Sequence, residues 1–316
     1  MMKILITGIA GFIGSHTAER LQAMDHTIIG IDNFSPYYDV AIKRKTAGEL
    51  QAKGIKIIEA DLIEDKTYQN LDTDFDYIFH FAAQPGISSA VSFEEYFENN
   101  VLATQKLIQF VRDRNVNLKL FVNIATSSIY GKEAFYDEEK APRPASNYGV
   151  SKLAAEQLVL FHAREEKFKA CSFRLYSVFG PRERPDKLYP KLIHSAYTGE
   201  AFTLYEGSDK HLRSFTFIDD IVDGIVSVFG KEEIINKEVI NLGTDIESTT
   251  QEGIDTVEKI SGKKINIQIV PKRAGDQLRT LAIIDKARML LNYNPKTTLE
   301  EGLKKHTEWY LNNKTC

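Results

Sequence analysis

Cysteine is nearly absent from this chain: two occur in 316 residues, Cys171 inside an apolar run and Cys316 at the last position. No spacing ties either one to histidine as a metal centre requires, so no metal is expected, and Cys171 reads as a small core residue. An excess of one charge is also lacking. Forty Lys and Arg against 44 Asp and Glu leave a net charge of −4, with the two signs intermixed, so nucleic acid is not an expected partner. Long apolar runs are missing as well. The opening MMKILITG is broken by Gly8 and Gly11 before it could become a signal peptide or a membrane span, which predicts a cytoplasmic protein with no membrane partner. There is neither an internal repeat nor a low-complexity stretch. What is present is 43% hydrophobic and 27% charged residues, enough for a large core in two domains or one elaborated one.

Periodicity supplies the architecture. Apolar runs at 3–7 and 26–32 bracket a segment with Phe12, Ile13, Ala18 and Leu21 at helical spacing, a strand, helix, strand unit. Strands are expected again at 55–60, 77–82, 119–124 and 170–176, with helices at 101–112 and 150–166. Such alternation predicts an α/β fold with a doubly wound parallel Rossmann sheet. After Gly180 the pattern turns irregular: 182–187, which follows Pro181 and holds Pro185, reads as a loop, and 239–242 as a strand returning to the sheet. The expected division is a cofactor domain over 1–176, with 215–243 returning to it. A smaller, discontinuous α/β substrate domain takes 177–214 and 244–316.

The strand 3–7 runs straight into Gly8-Ile-Ala-Gly11-Phe-Ile-Gly14, a GxxGxxG turn that opens a helix. Glycines let the backbone turn tightly and approach a pyrophosphate, whose charge is held by N–H groups at the helix start. Asp32 ends the next strand 18 residues after Gly14, where a carboxylate accepts from a ribose 2′-OH and repels a 2′-phosphate. NAD is therefore expected rather than NADP.

Tyr148 and Lys152 stand at the start of an expected helix, and their i, i+4 spacing puts both on one face. By themselves they suit an ordinary helix surface. Beside a dinucleotide loop they suit a phenol that acts as a base, its proton affinity lowered by a nearby ammonium.

Taken together, the glycine loop, Asp61-Leu62, His80-Phe-Ala-Ala83, Asn100, Thr126-Ser-Ser-Ile-Tyr130-Gly131 and Tyr148-Gly-Val-Ser-Lys152 resemble the extended short-chain dehydrogenase/reductase family. Within it the chain is most similar to the nucleotide-sugar epimerases, through Gly180-Pro-Arg-Glu-Arg-Pro-Asp186, Arg213-Ser-Phe-Thr-Phe-Ile-Asp-Asp220, Asn241-Leu-Gly243 and Arg273-Ala-Gly-Asp276. The resemblance implies that Gly8, Gly11, Phe12, Ile13, Gly14, Asp32, Asn33, Asp61, Leu62, Ala82, Ala83 and Asn100 line NAD. It implies Tyr148 as base, Thr126 as hydrogen-bond partner of the reacting hydroxyl, and Lys152 on the nicotinamide ribose. Ser127, Ser128, Ser177, Arg184, Leu188, Arg213, Arg273 and Asp276 would face the substrate, with Arg213 and Arg273 on its diphosphate, although each arginine alone reads equally well as a surface ion pair. A homodimer through helices 101–112 and 150–166 is also implied, with Leu102, Leu107, Val111, Leu153, Leu158 and Phe161 as its apolar residues, which ordinary core packing explains as well.

Relatives that dehydrate or decarboxylate such substrates carry a carboxylate at the position of Ser128, so its absence favours simple C4 epimerisation of a UDP-sugar through a 4-keto intermediate. Ser177 stands where relatives acting on neutral sugars have Asn. With Arg184 it is similar to the UDP-glucuronate 4-epimerases, as is Asp32-Asn-Phe-Ser-Pro-Tyr-Tyr-Asp39. The expected reaction is UDP-glucuronate to UDP-galacturonate. UDP-glucose or UDP-N-acetylglucosamine epimerisation, a net dehydrogenase that releases NADH, and a non-catalytic NAD sensor or scaffold stand as the other readings.

Overall fold

Runs of branched and aromatic residues too short for helices form the centre of the molecule. The computed structural model describes residues 1–88, 90–272 and 278–313. Among them a parallel sheet of seven strands runs in the order Val239–Leu242, Ala170–Leu175, Leu120–Thr126, Tyr77–His80, Lys3–Thr7, Thr27–Asp32, Lys56–Glu59. Leu120–Thr126 and Ala170–Leu175 are buried at every position, because helices cover both faces of a parallel sheet. Alternation divides the core. Ile4, Ile6, Val122 and Cys171 pack with Ala18, Leu21, Ile221 and Ile225 on one face, while Leu5, Phe121 and Ala170 pack with Leu107, Val111, Val159 and Ala163 on the other.

The expected elements appear with shifted ends. The second catalytic-face helix is Asn147–Arg164 rather than 150–166, because the Ser146 hydroxyl accepts from Gly149 N at 3.1 Å and starts the helix early. The expected helix 101–112 is Ala103–Arg114, entered through a π-helical turn at Phe97–Leu102 that carries buried Asn100. The helix Val40–Ala52 follows the second strand, capped by Asp39, which accepts from Ala41 N at 2.9 Å. Cys171 is fully buried, and burial pushes its thiol well above the usual range, as suits a core residue.

Beyond Leu175 the chain builds small sheets. Ser177–Phe179 pairs with Phe215–Phe217, Phe202–Tyr205 with Ile267–Val270, and Leu212–Arg213 lies between Ser248–Thr249 and Arg279–Thr280. A third apolar cluster joins Tyr189, Leu192 and Ile193 of the helix Leu188–Thr198 to Ile254 of Thr250–Ser261 and Leu303 of Leu299–Asn313. No helix among the described residues is long and apolar enough to cross a membrane.

His306, on that last helix, is 1% exposed, and burial pushes it down to about 3, with Nδ1 unpartnered among the described residues. Below pH 6.5 the unfolded chain takes a proton that the folded one refuses, so this histidine costs stability as pH falls from about 6.5 towards 3. His306→Leu removes that cost. Comparing denaturant unfolding at pH 7 and pH 5, the stability difference between variant and parent should move by about 2 kcal/mol in the variant's favour. An unchanged difference would mean that His306 is protonated in the folded protein.

Candidate functional site

The strand order reverses between Lys3–Thr7 and Tyr77–His80, and the loops leaving the C-terminal ends of these strands enclose a crevice. The glycine loop occupies one side. A Cβ on Gly14 would come within 2.4 Å of Gly8 O, so only glycine lets the helix Phe12–Ala23 begin this close to the strand end. No side chain caps that helix, which leaves first-turn N–H groups for an anion. Asp32 is 6% exposed, and its carboxylate accepts from Ala10 N at 3.0 Å and Phe34 N at 2.9 Å. Burial pushes its proton affinity up, against the pull of the Phe34 amide and Lys43. Asn33 Nδ2 donates to Asp61 Oδ2 at 2.9 Å, and Leu62 is buried behind it. Arg44 stacks on Phe34 at 3.8 Å and is held in two hydrogen bonds by Glu59, at 2.6 and 2.5 Å.

Next to this loop, buried His80 ties three segments together. Thr104 Oγ1 donates to Asn100 O at 2.6 Å, so His80 Nε2–H donates to Thr104 Oγ1 at 2.9 Å and Nδ1 accepts from Thr7 at 2.7 Å. The Thr7 hydroxyl in turn accepts from Ala82 N at 3.2 Å. Burial first, and the Lys152 charge second, hold His80 down to about 3, so it is a neutral strut. Asn100 does similar work. Its Oδ1 accepts from Gln84 N at 2.7 Å and its Nδ2 donates to Ser151 Oγ at 2.8 Å, which joins the loop after Ala83 to the helix Asn147–Arg164.

That helix presents Tyr148 and Lys152. Burial raises the Tyr148 phenol, and the Thr126 hydroxyl, the Arg184 charge and the Gly86 backbone pull it back. The ammonium expected to lower it is not what does so here; Lys152 is itself held down to about 8 by burial, against the attraction of Glu156. Thr126 Oγ1 accepts from Ser128 N at 3.2 Å and so caps the short turn Ser127–Tyr130, and it donates to Ser128 Oγ at 3.3 Å. Below Lys152, Glu156 is fully buried and paired with Arg174 at 3.0 and 2.7 Å. Arg174 Nη1 also donates to Tyr130 Oη at 2.9 Å, and that hydroxyl donates to Asn241 at 2.9 Å.

Arg184, on the loop after Gly180, is 8% exposed and stacks over Tyr37 at 5.0 Å. Nη1 donates to Pro85 O at 3.4 Å and Nη2 to Asp186 Oδ2 at 3.1 Å, while Nε is buried without a partner among the described residues. Ser177 begins the strand Ser177–Phe179, Leu188 begins the helix Leu188–Thr198, and Arg213 ends Leu212–Arg213; all three are half-buried. Arg273 and Asp276 lie outside the described residues. The structure thus gathers Tyr148, Thr126, Arg184 and the Gly86 backbone at one point. It also brings in Gly86, Tyr96, Glu183 and Lys187, which carry no spacing signal and meet only through folding. Tyr96, at the end of the short helix Phe93–Tyr96, donates its hydroxyl to Gly86 O at 2.6 Å.

A model of the NAD dependent epimerase/dehydratase family matches residues 4–243. An uncharacterised UDP-glucose epimerase of Bacillus subtilis (strain 168) is 36% identical over 307 residues, 96% of each chain. A probable UDP-glucuronate 4-epimerase of Rhizobium meliloti (strain 1021) is 31% identical, over 98% of this chain and 97% of the relative. A crystal structure of UDP-glucuronic acid 4-epimerase from Bacillus cereus, in complex with UDP-glucuronic acid and NAD, superposes with a TM-score of 0.92 at 32% identity, covering 98% of this chain and 99% of that one.

Because a methyl group on Gly14 would meet backbone rather than a movable side chain, Gly14→Ala should displace the loop and weaken NAD binding more than about tenfold while the sheet survives. Calorimetric titration with NAD, beside far-ultraviolet circular dichroism, measures both. Binding equal to the parent's would show that the loop does not hold the dinucleotide.

Proposed function

Since the chain belongs to the NAD dependent epimerase/dehydratase family, we propose that it interconverts UDP-glucuronate and UDP-galacturonate by epimerisation at C4. The residues present suit the dinucleotide: an uncapped helix start behind Gly8–Gly14 for the pyrophosphate, and Asp32, Asn33 and Asp61 for the adenosine ribose. Asp32 uses one lone pair on each oxygen for Ala10 and Phe34 and keeps others for ribose hydroxyls. With Arg44 neutralised by Glu59, a 2′-phosphate gains little there, which favours NAD. When bound, NAD supplies a reversible hydride acceptor at C4.

The chain's own residues do the rest. Tyr148 takes the proton from the sugar O4, Thr126 hydrogen-bonds that oxygen, and Lys152 holds the nicotinamide ribose and contributes positive charge. A buried phenol in this position needs cationic surroundings to give up its proton, and the Arg184 charge supplies them. Ser128 offers no carboxylate at the place where dehydration would need an acid, so the 4-keto sugar is left to turn over and be reduced on its other face.

One observation carries the substrate: Arg184 is buried beside Tyr148 with an unpartnered Nε. A buried guanidinium donor without an acceptor is costly, and a carboxylate on C6, close to the reacting C4, fills that need. Oxidation at C4 turns a uronate into a β-keto acid, which loses CO2 when its carboxylate aligns with the carbonyl π system. Two charge-assisted hydrogen bonds from Arg184 hold the carboxylate out of that alignment. UDP-glucose, which the name of the Bacillus subtilis relative favours, and UDP-N-acetylglucosamine offer Nε only a neutral hydroxyl, a weaker acceptor than a carboxylate.

We assign the cofactor to 1–176 with 215–243 and the sugar nucleotide to 177–214 with 244–316. We assign Leu188 and Arg213 to the nucleotide side and Ser127, Ser128 and Ser177 to the sugar, and from the sequence alone Arg273 and Asp276 to the nucleotide. A homodimer is part of the proposal. Phe93, Phe97, Val150 and Phe161 are 44%, 45%, 43% and 49% exposed around the start of one helix and along the other, an apolar face that a second copy would cover. Leu107 and Val111 are buried within the subunit instead. A cytoplasmic location accords with the unpaired Cys171 thiol.

Incubating the protein with UDP-glucuronate, UDP-glucose and UDP-N-acetylglucosamine and resolving the products tests the assignment; preference for a neutral sugar overturns it. Product formed in D2O should carry no deuterium at C4, and solvent deuterium there would indicate proton abstraction instead. Tyr148→Phe should lower turnover by about a hundredfold or more with NAD still bound. Arg184→Ala should weaken UDP-glucuronate use by about 2–5 kcal/mol and raise UDP-pentose by-product, with UDP-glucose affected far less. Equal losses on both sugars would remove Arg184 from the carboxylate.

A further inference from the structure

Glu183 and Lys187 of the loop 182–187 have no part in the scheme above. A methyl group built on Gly86 would lie 3.2 Å from Arg184 Nη2 and 3.8 Å from both Arg184 Nη1 and Lys187 Nζ, so a guanidinium and an ammonium converge on one point. That point adjoins the chemistry. Gly86, at φ +83°, has its carbonyl held by the Tyr96 hydroxyl at 2.6 Å, and its backbone reaches the Tyr148 hydroxyl.

The protein's own anions answer this charge only in part. Asp186 takes Arg184 Nη2 at 3.1 Å from a half-exposed side chain. Glu183 is the inner one, and its Oε2 is buried without a partner among the described residues. Burial pushes that carboxyl up in spite of Lys187 and Arg184, so it balances the two cations less than an ordinary carboxylate would. Burial and the Arg184 charge in turn push the Lys187 ammonium down, which an arriving anion would reverse.

Building on the uronate reading above, we propose that Lys187 is the second cation of the C6-carboxylate seat, a specificity-determining residue that acts with Arg184 to favour UDP-uronates over neutral UDP-sugars. The position selects the carboxylate over the diphosphate. C6 is two bonds from C4, so its carboxylate falls beside Tyr148, whereas the diphosphate hangs from C1 across the ring. Arg213, assigned above to the nucleotide side, reaches Lys187 through its charge. Two cations on one carboxylate give each oxygen a charged donor, an arrangement a neutral hydroxymethyl group cannot use.

The test replaces the charge and keeps the stem. With NAD-loaded protein carrying Tyr148→Phe, so that no turnover intervenes, calorimetric binding of UDP-glucuronate should weaken roughly tenfold or more when Lys187→Met is added. Binding of UDP-glucose should change less than about twofold, and Lys187→Arg should restore most of the uronate affinity. In otherwise unaltered enzyme, Lys187→Met should raise KM for UDP-glucuronate more than it lowers kcat. Equal weakening on both sugars would assign Lys187 to the diphosphate and overturn the proposal, as would no weakening on either. A parent protein that binds and converts only neutral sugars would reject the uronate reading itself, a result distinct from a uronate enzyme whose Lys187 variant is indifferent.

Discussion

The reversal of strand order between Lys3–Thr7 and Tyr77–His80 is the constraint on which the site depends. Crossovers from the first strand run to one side of the sheet and those from Tyr77–His80 onward to the other, so the loops at these two strand ends diverge and leave a crevice. The glycine loop, the segment from Ala82 to Gly86, the Thr126 turn and the loop carrying Arg184 all start from strand ends around it. Strands buried on both faces move little, and residues spread over more than 170 positions of sequence, from Gly8 to Arg184, are thereby held in one place.

Polar groups beneath the crevice differ from those within it. Below, nearly every partner is found: Glu156 with Arg174 and Ser172, Arg174 with Tyr130, Tyr130 with Asn241, His80 with two threonines. A buried ion pair adds little net stability, since desolvation offsets attraction, but removing one partner strands the other. Such a network fixes geometry. It sets the turn of helix from which Lys152 and Tyr148 project, and keeps His80 neutral where a second positive charge would disturb Lys152. Within the crevice, Arg184 Nε and Glu183 Oε2 lack partners among the described residues. Here the satisfied groups make a scaffold, and a ligand that partners the two crevice atoms gains the energy they lack.

Specificity then follows from charge placed near one carbon. Arg184 bears on Tyr148 and on the space beside Gly86, so the group that would recognise a carboxylate also eases removal of the O4 proton. In the proposed reading one cation serves recognition and catalysis, and a neutral sugar forgoes the recognition. The small residues Ser127, Ser128 and Ser177 place no carboxylate at their own positions, where one would repel a uronate and supply an acid for other chemistry.

What the sequence by itself determined is whatever is local. Short continuous apolar runs that alternate with helical segments dictate the parallel sheet, because strands covered on both faces must be apolar almost throughout. The strand, glycine turn and helix are contiguous, so the dinucleotide loop and Asp32 were legible, and the four-residue spacing of Tyr148 and Lys152 puts them on one face whatever surrounds them. Helix ends were legible only to a few residues, because a cap such as Ser146 and a π-helical turn at Asn100 depend on side-chain contacts. Only the tertiary structure decided which charges meet. Arg174 sits in a run that reads as apolar core, yet its partner Glu156 lies on a preceding helix. Gly86 follows one strand and Lys187 another, and no periodicity connects them. A hydrogen bond or a Coulomb interaction between remote residues depends on distance in space, and that distance is set by the packing of the sheet and its helices, which local spacing along the chain does not contain.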